Sequence, residues 1–132
     1  MIGLDTNVVV RYLVQDDPTQ SAAATRLVER VLTDEEPGFV TAVTLCEIVW
    51  VLAECYEADR ERIEAVIEGL LTSRQLLLEH ADVVWSALAD WRGSAADFSD
   101  ALIGRLVVAR GGAKTVTFDR AAAKLPSFEL LK

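Results

Sequence analysis

The sequence predicts an α/β fold built on a parallel sheet covered by helices. Short apolar runs recur along the chain, at Met1–Leu4, Phe39-Val40, Gln75–Leu78, Lys114–Phe118 and Phe128–Leu131. Between them lie segments with helical spacing and helix-capping residues. No repeat, low-complexity tract or linker interrupts the order, so the chain reads as one domain over residues 1–132. Strands alternating with helices are joined by crossovers, which makes the sheet parallel. In such sheets ligands bind at the carboxyl ends of the strands.

Each element has a local reason. Met1–Leu4 is apolar and stops at Asp5, as a buried strand would, and Val8–Val14 reads as a short apolar helix. Asp17 and Pro18 supply an N-cap and a first helical residue for a helix to about Leu32. Pro37-Gly38 breaks the chain before the second strand, and Thr41 can cap an apolar helix from Ala42 to about Tyr56. Asp59 caps the next helix, in which Ile63, Val66, Ile67, Leu70 and Leu71 follow the spacing of an amphipathic face. After the Gln75–Leu78 strand, Ala81–Trp91 reads as a helix with Val84, Trp85 and Leu88 inward. Ser94 precedes a helix that runs to Arg110 and is terminated by Gly111-Gly112. Lys114–Phe118 alternates and meets Asp119, and a short helix and a weak strand finish the chain.

Composition narrows the chemistry. The chain has 132 residues, 52% hydrophobic and 26% charged, enough for a real core and unlike a disordered chain. No apolar run reaches the roughly 18–20 residues that cross a bilayer. Met1-Ile2-Gly3-Leu4-Asp5 has no basic leader and does not read as a signal peptide, so the cytoplasm is the expected compartment. Cys46 and Cys55 lie nine residues apart in one expected helix, about 13 Å and too far to bridge, so both read as reduced packing thiols. The single histidine, His80, rules out a His-clustered zinc site and disfavours a Ser-His-Asp triad. Catalysis, if any, falls to carboxylates.

The net charge of −8 argues at first against a nucleic-acid partner. Its distribution is uneven: residues 1–91 hold 6 basic and 17 acidic side chains, whereas residues 92–132 hold 7 basic and 4 acidic. Arg92, Arg105, Arg110, Lys114, Arg120, Lys124 and Lys132 form this basic set, which reads either as solvated surface or as phosphate contacts.

The acids are the informative feature. Asp5 and Asp119 each follow an apolar strand at its carboxyl end; either alone could be a turn former or a helix cap. Glu47 is the only charged residue between Gly38 and Ala53. An apolar helix tolerates a buried carboxylate only with a cation, a hydrogen-bonded partner or an opening to water. The alternative is a narrow solvent stripe shared with Thr44 and Glu54. Asp97 and Asp100 share a face near a helix N-terminus. Ser94-Ala95-Ala96-Asp97 also matches a capping box, which would explain Asp97 but not Asp100. Converging, these acids would repel one another without a cation, and Mg²⁺ or Mn²⁺ takes such oxygen ligands. A pocket of this kind activates water against a phosphodiester, with Thr6, Asn7 and Thr117 able to orient the ligands.

Four segments together resemble the PIN domain: Leu4-Asp5-Thr6-Asn7, Thr44-Leu45-Cys46-Glu47, Asp97-Phe98-Ser99-Asp100-Ala101-Leu102-Ile103 and Thr117-Phe118-Asp119. Length and motif order are closest to the VapC toxins of type II toxin–antitoxin (VapBC) systems. The resemblance covers essentially the whole chain and implies a central parallel sheet of about five strands flanked by helices on both sides. It implies Mg²⁺- or Mn²⁺-dependent endoribonuclease activity, homodimers, and a VapB-like antitoxin protein whose tail blocks the active site. By the resemblance, Asp5, Glu47 and Asp100 match the main metal-binding acids, Asp119 a weaker fourth and Asp97 an accessory position. Thr6 and Asn7 match the motif's hydrogen-bonding pair. Trp50, Tyr56 and Trp91, whose default place is the core, offer some further support for a dimer.

Two other classes compete. A phospho-acceptor signalling module would need an acidic pair at the first strand's end, where Asp5 is followed by Thr6, and an acceptor Asp after a middle strand, where Glu79 stands. A catalytically inert interaction domain on the PIN fold should have lost acids, yet all four principal ones are present.

Overall fold

The first strand ends where an acid starts a helix. In the computed structural model, which describes residues 1–132, β1 (Ile2–Gly3) leads to Asp5, the N-cap of α1 (Thr6–Val14). The helix opens two residues before the apolar run at Val8, because its first turn, Thr6-Asn7, is polar and leaves no mark on the apolar spacing. Asp17 caps α2 (Pro18–Arg26) by accepting from the Gln20 N–H at 2.9 Å. The helix continues as a π-helical turn, Leu27–Val31, in which the Leu32 N–H reaches back to the Leu27 carbonyl at 2.9 Å. β2 (Gly38–Val40), α3 (Ala42–Cys55, capped by Thr41), α4 (Arg60–Thr72, capped by Asp59) and β3 (Leu76–Leu78) follow.

These elements form a compact unit, Met1–Glu79. Its sheet has the order β1-β2-β3, all parallel, with Ile2 beside Gly38 and Gly38 beside Leu76. Val40, Val9, Val10, Ile48 and Ile67 are among its fully buried side chains.

A second compact unit, His80–Lys132, holds α5 (Ala81–Trp91), α6 (Phe98–Ala109), β4 (Thr115–Thr117), a 3₁₀ turn at Ala122–Lys124 and β5 (Phe128–Leu130). β4 and β5 pair in parallel, Val116 opposite Glu129. Arg105 of α6 grips Asp90 of α5 with two hydrogen bonds, at 2.5 and 2.7 Å. Gly104 lies under the Phe128 ring, where any Cβ would collide with it. Gly111, at φ +97, ends α6 in the left-handed conformation. The Gly112 N–H then returns to the Val107 carbonyl at 2.8 Å and the Gly111 N–H to Val108 at 2.9 Å, the bond pair of a Schellman motif.

Four expectations need correction. Five strands form, but in a three-stranded and a two-stranded sheet, not in one sheet of five. The strands are two or three residues long, so each ladder has few bonds with which to extend the sheet. Ser94 does not cap α6: its hydroxyl bonds the Trp91 carbonyl at 2.8 Å and closes the preceding turn, and the helix starts at Phe98 with Asp97 as N-cap. Trp85 is 42% exposed, because Val84, Ala87, Leu88 and Trp91 already fill the buried stripe of α5. Cys55 is exposed at the last residue of α3, beyond Leu52, the helix's last buried position, while Cys46 is half-buried. No helix is long and apolar enough to cross a membrane.

Candidate functional site

In the first unit the central residue is Thr6. Its N–H donates to Asp5 Oδ1 at 2.8 Å and its hydroxyl donates to Glu47 Oε1 at 3.2 Å. Thr6 is 7% exposed, so the residue that contacts both acids is itself buried, and both bonds start from a packed position. Asp5 and Glu47 are exposed. Glu47 does lie on the solvent side of α3, as does Glu54, but the Thr6 bond ties it to the start of α1. Asn7 is exposed on the first turn of α1.

One acid of this unit was not singled out as a site residue. Glu79, directly after β3, accepts from the Ala42 N–H at 2.8 Å and so caps α3 from a distant strand. Its own N–H donates to the Val40 carbonyl at 2.8 Å. A pairing 37 residues apart leaves no trace in local spacing.

In the second unit Asp97, Asp100 and Asp119 interact. Asp97 is the N-cap of α6 by position, but its carboxylate makes no capping bond. Asp100 stands in the first helical turn, half-buried. Desolvation by burial, then the charges of Asp97 and Asp119, push its carboxyl above the ordinary carboxylate range, while the Asp97 backbone N–H pulls the other way. Asp119 Oδ1 accepts from the Ala121 N–H at 2.8 Å, and the Asp119 N–H donates to Thr117 Oγ1 at 3.0 Å. The turn before Asp97 is held by Trp91, whose indole N–H donates to the Ala96 carbonyl at 2.9 Å while its ring meets Phe98 edge-on, centroids 5.8 Å apart.

Each unit therefore carries part of the acidic set: Asp5 with Glu47, and Asp97 with Asp100 and Asp119. In neither unit do three acidic, His or Cys side chains stand close enough to form a metal-holding group. The donor chemistry nevertheless suits a hard cation. All five groups are carboxylates, and the mutual opposition of Asp97, Asp100 and Asp119 is what a divalent cation would relieve. Thiol and imidazole ligands of the kind zinc favours are not part of either group.

Comparison with curated proteins finds no match. The PIN domain family, in contrast, matches residues 2–127, a span that takes in Asp5, Glu47, Asp97, Asp100 and Asp119, and the chain belongs to that family.

Proposed function

We propose that this PIN domain is a metal-dependent endoribonuclease, the VapC-like toxin of a type II toxin–antitoxin pair. The observation that carries the reading is that the family match spans Asp5, Glu47, Asp97, Asp100 and Asp119, and that burial and then the charges of Asp97 and Asp119 raise the pKa of the Asp100 carboxyl. A carboxylate whose charged form is disfavoured by burial and by neighbouring acids is one that a bound cation would stabilise. We read residues 1–132 as one PIN domain, since the family match runs through both units.

By the family motifs, Asp5, Glu47 and Asp100 each match a ligand of Mg²⁺ or Mn²⁺, Asp119 a weaker fourth ligand and Asp97 an accessory position. A cation bound by these acids would lower the pKa of a water and offset charge on the phosphoryl oxygens. The residues of the chain do the orienting. Thr6 aims Glu47 and fixes Asp5, and Thr117 steadies the backbone of Asp119. The reaction is hydrolysis: water adds to phosphorus in line with the departing sugar oxygen, and no covalent bond to the protein forms. RNA is the substrate, a VapB-like antitoxin the inhibitor, and the cytoplasm the compartment. A homodimer accords with Trp50, which is 62% exposed on α3; a monomeric mass by light scattering would refute it.

The test is cleavage of a mixed RNA pool by the purified chain, with Mn²⁺ or Mg²⁺ against EDTA. Metal-dependent cleavage lost in Asp5→Asn and Asp100→Asn is the expected result, and full rates in both variants would sink it. The inert-domain reading gains if the protein neither cleaves RNA nor binds Mn²⁺ by calorimetry. The phospho-acceptor reading is weaker, because the Glu79 carboxylate is already engaged by the Ala42 N–H.

A further inference from the structure

Phe118 is 78% exposed, more than any other large apolar side chain of the protein, and it stands between Thr117 and Asp119. Alternation along β4 accounts for its direction: Thr115 and Thr117 are half-buried, Val116 and Phe118 exposed. A phenyl ring left in water forgoes the stabilisation that burial contributes, and nothing in the packing of this unit requires an aromatic there.

The ring is mounted on a fixed backbone. On one side of it the Thr117 carbonyl accepts from the Leu131 N–H at 2.7 Å. On the other, the Asp119 N–H donates to Thr117 Oγ1 at 3.0 Å and the Asp119 carboxylate holds the Ala121 N–H at 2.8 Å. The backbone is thus hydrogen-bonded on both sides of Phe118. Arg120, exposed and in no ion pair, follows the acid directly, and Lys124 lies at the end of the 3₁₀ turn.

We propose that Phe118 is a stacking platform for an unpaired nucleobase of the RNA strand beside Asp119. The inference rests on the nuclease reading and adds a substrate-contacting residue to it. Every base has a face that can stack on an aromatic ring, whereas bases inside a duplex already have both faces covered. A ring, an acid and a free cation on successive residues match the base, the cleavage chemistry and the phosphate of one strand.

The experiment uses the whole chain with a short single-stranded RNA carrying one 2-aminopurine, titrated in Ca²⁺ and read by fluorescence quenching and by anisotropy. Phe118→Ala should bind about tenfold more weakly and lose the quenching, and Phe118→Tyr should keep both. A fully paired duplex of the same sequence should bind Phe118→Ala and the parent chain alike. Unchanged thermal unfolding of Phe118→Ala shows that folding is not the cause. Unchanged affinity and quenching in Phe118→Ala would overturn the inference. So would a change in mass by light scattering with RNA binding intact, which would assign the ring to a protein interface. If Asp100→Asn abolishes cleavage while Phe118→Ala changes nothing, the stacking role alone fails. If the parent chain neither binds nor cleaves RNA, the nuclease reading fails and the stacking role with it.

Discussion

The Thr6 hydroxyl donates to Glu47 Oε1 at 3.2 Å, joining the first residue of α1 to the middle of α3. The same residue donates its N–H to Asp5. A strand-end acid and a mid-helix acid, 42 positions apart, are thus oriented by one buried side chain. The bond is modest in energy, because the Glu47 carboxylate is exposed and water can replace the donor. Its consequence is geometric.

Thr6→Val tests that geometry. The substitution keeps the shape and the N–H to Asp5 but removes the donor to Glu47. Unfolding stability should fall by no more than about 1 kcal/mol in a urea titration. Mn²⁺ affinity and RNA cleavage should fall roughly tenfold, as for other groups that orient ligands, with Thr6→Ser close to the parent. Equal loss of stability and activity would mean that Thr6 only packs.

Asp100 gives a pH prediction whose sign is set by its raised carboxyl. Burial and the charges of Asp97 and Asp119 disfavour its ionised form in the folded chain relative to the unfolded one. The folded state then binds more protons than the unfolded state between the two pKa values, so this group's contribution to stability falls as pH rises through that window. The penalty persists at higher pH and is relieved below the unfolded value. In EDTA, Asp100→Asn should therefore melt higher than the parent at pH 7, and the difference should shrink toward pH 4. Adding Mn²⁺ at pH 7 should raise the parent's melting temperature and leave Asp100→Asn nearly unmoved. A parent chain that melts higher than Asp100→Asn in EDTA at pH 7 would contradict the argument.

Arg105→Ala should destabilise the protein by roughly 1–3 kcal/mol in chemical denaturation. It leaves the Asp90 carboxylate, only 10% exposed, without its two-bond partner. The guanidinium is itself partly in water, which keeps the loss below that of a fully buried pair. Arg105→Lys should recover part of it, because an ammonium cannot reproduce the planar fork. An unfolding midpoint equal to the parent's would show that the pair contributes nothing.

Much of the fold was legible in the sequence because local chemistry governs it. Asp17 with Pro18, Thr41 and Asp59 start helices where they stand, and Gly111 stops one, since caps act within a single turn. The apolar spacing of Ile63, Val66, Ile67 and Leu70 located the buried face of α4. The acids at Asp5 and Asp119 could be placed at strand ends for the same reason. Ser94 misled because a serine three residues ahead of an acid satisfies the capping pattern, and only the Trp91 carbonyl decides where its hydroxyl bonds.

What the sequence by itself determined is the order and type of the elements, the carboxylate identity of the candidate site and the family motifs that carry it. Tertiary structure alone decided which distant groups meet: Thr6 with Glu47, Glu79 with the first turn of α3, and Asp100 with the charge of Asp119. It also decided that Trp91 is buried while Trp85 and Phe118 face water. The physical reason is range. Caps, turns and periodicity are energies of neighbours in the chain, whereas burial and hydrogen bonding between distant residues depend on which surfaces the packed elements leave open.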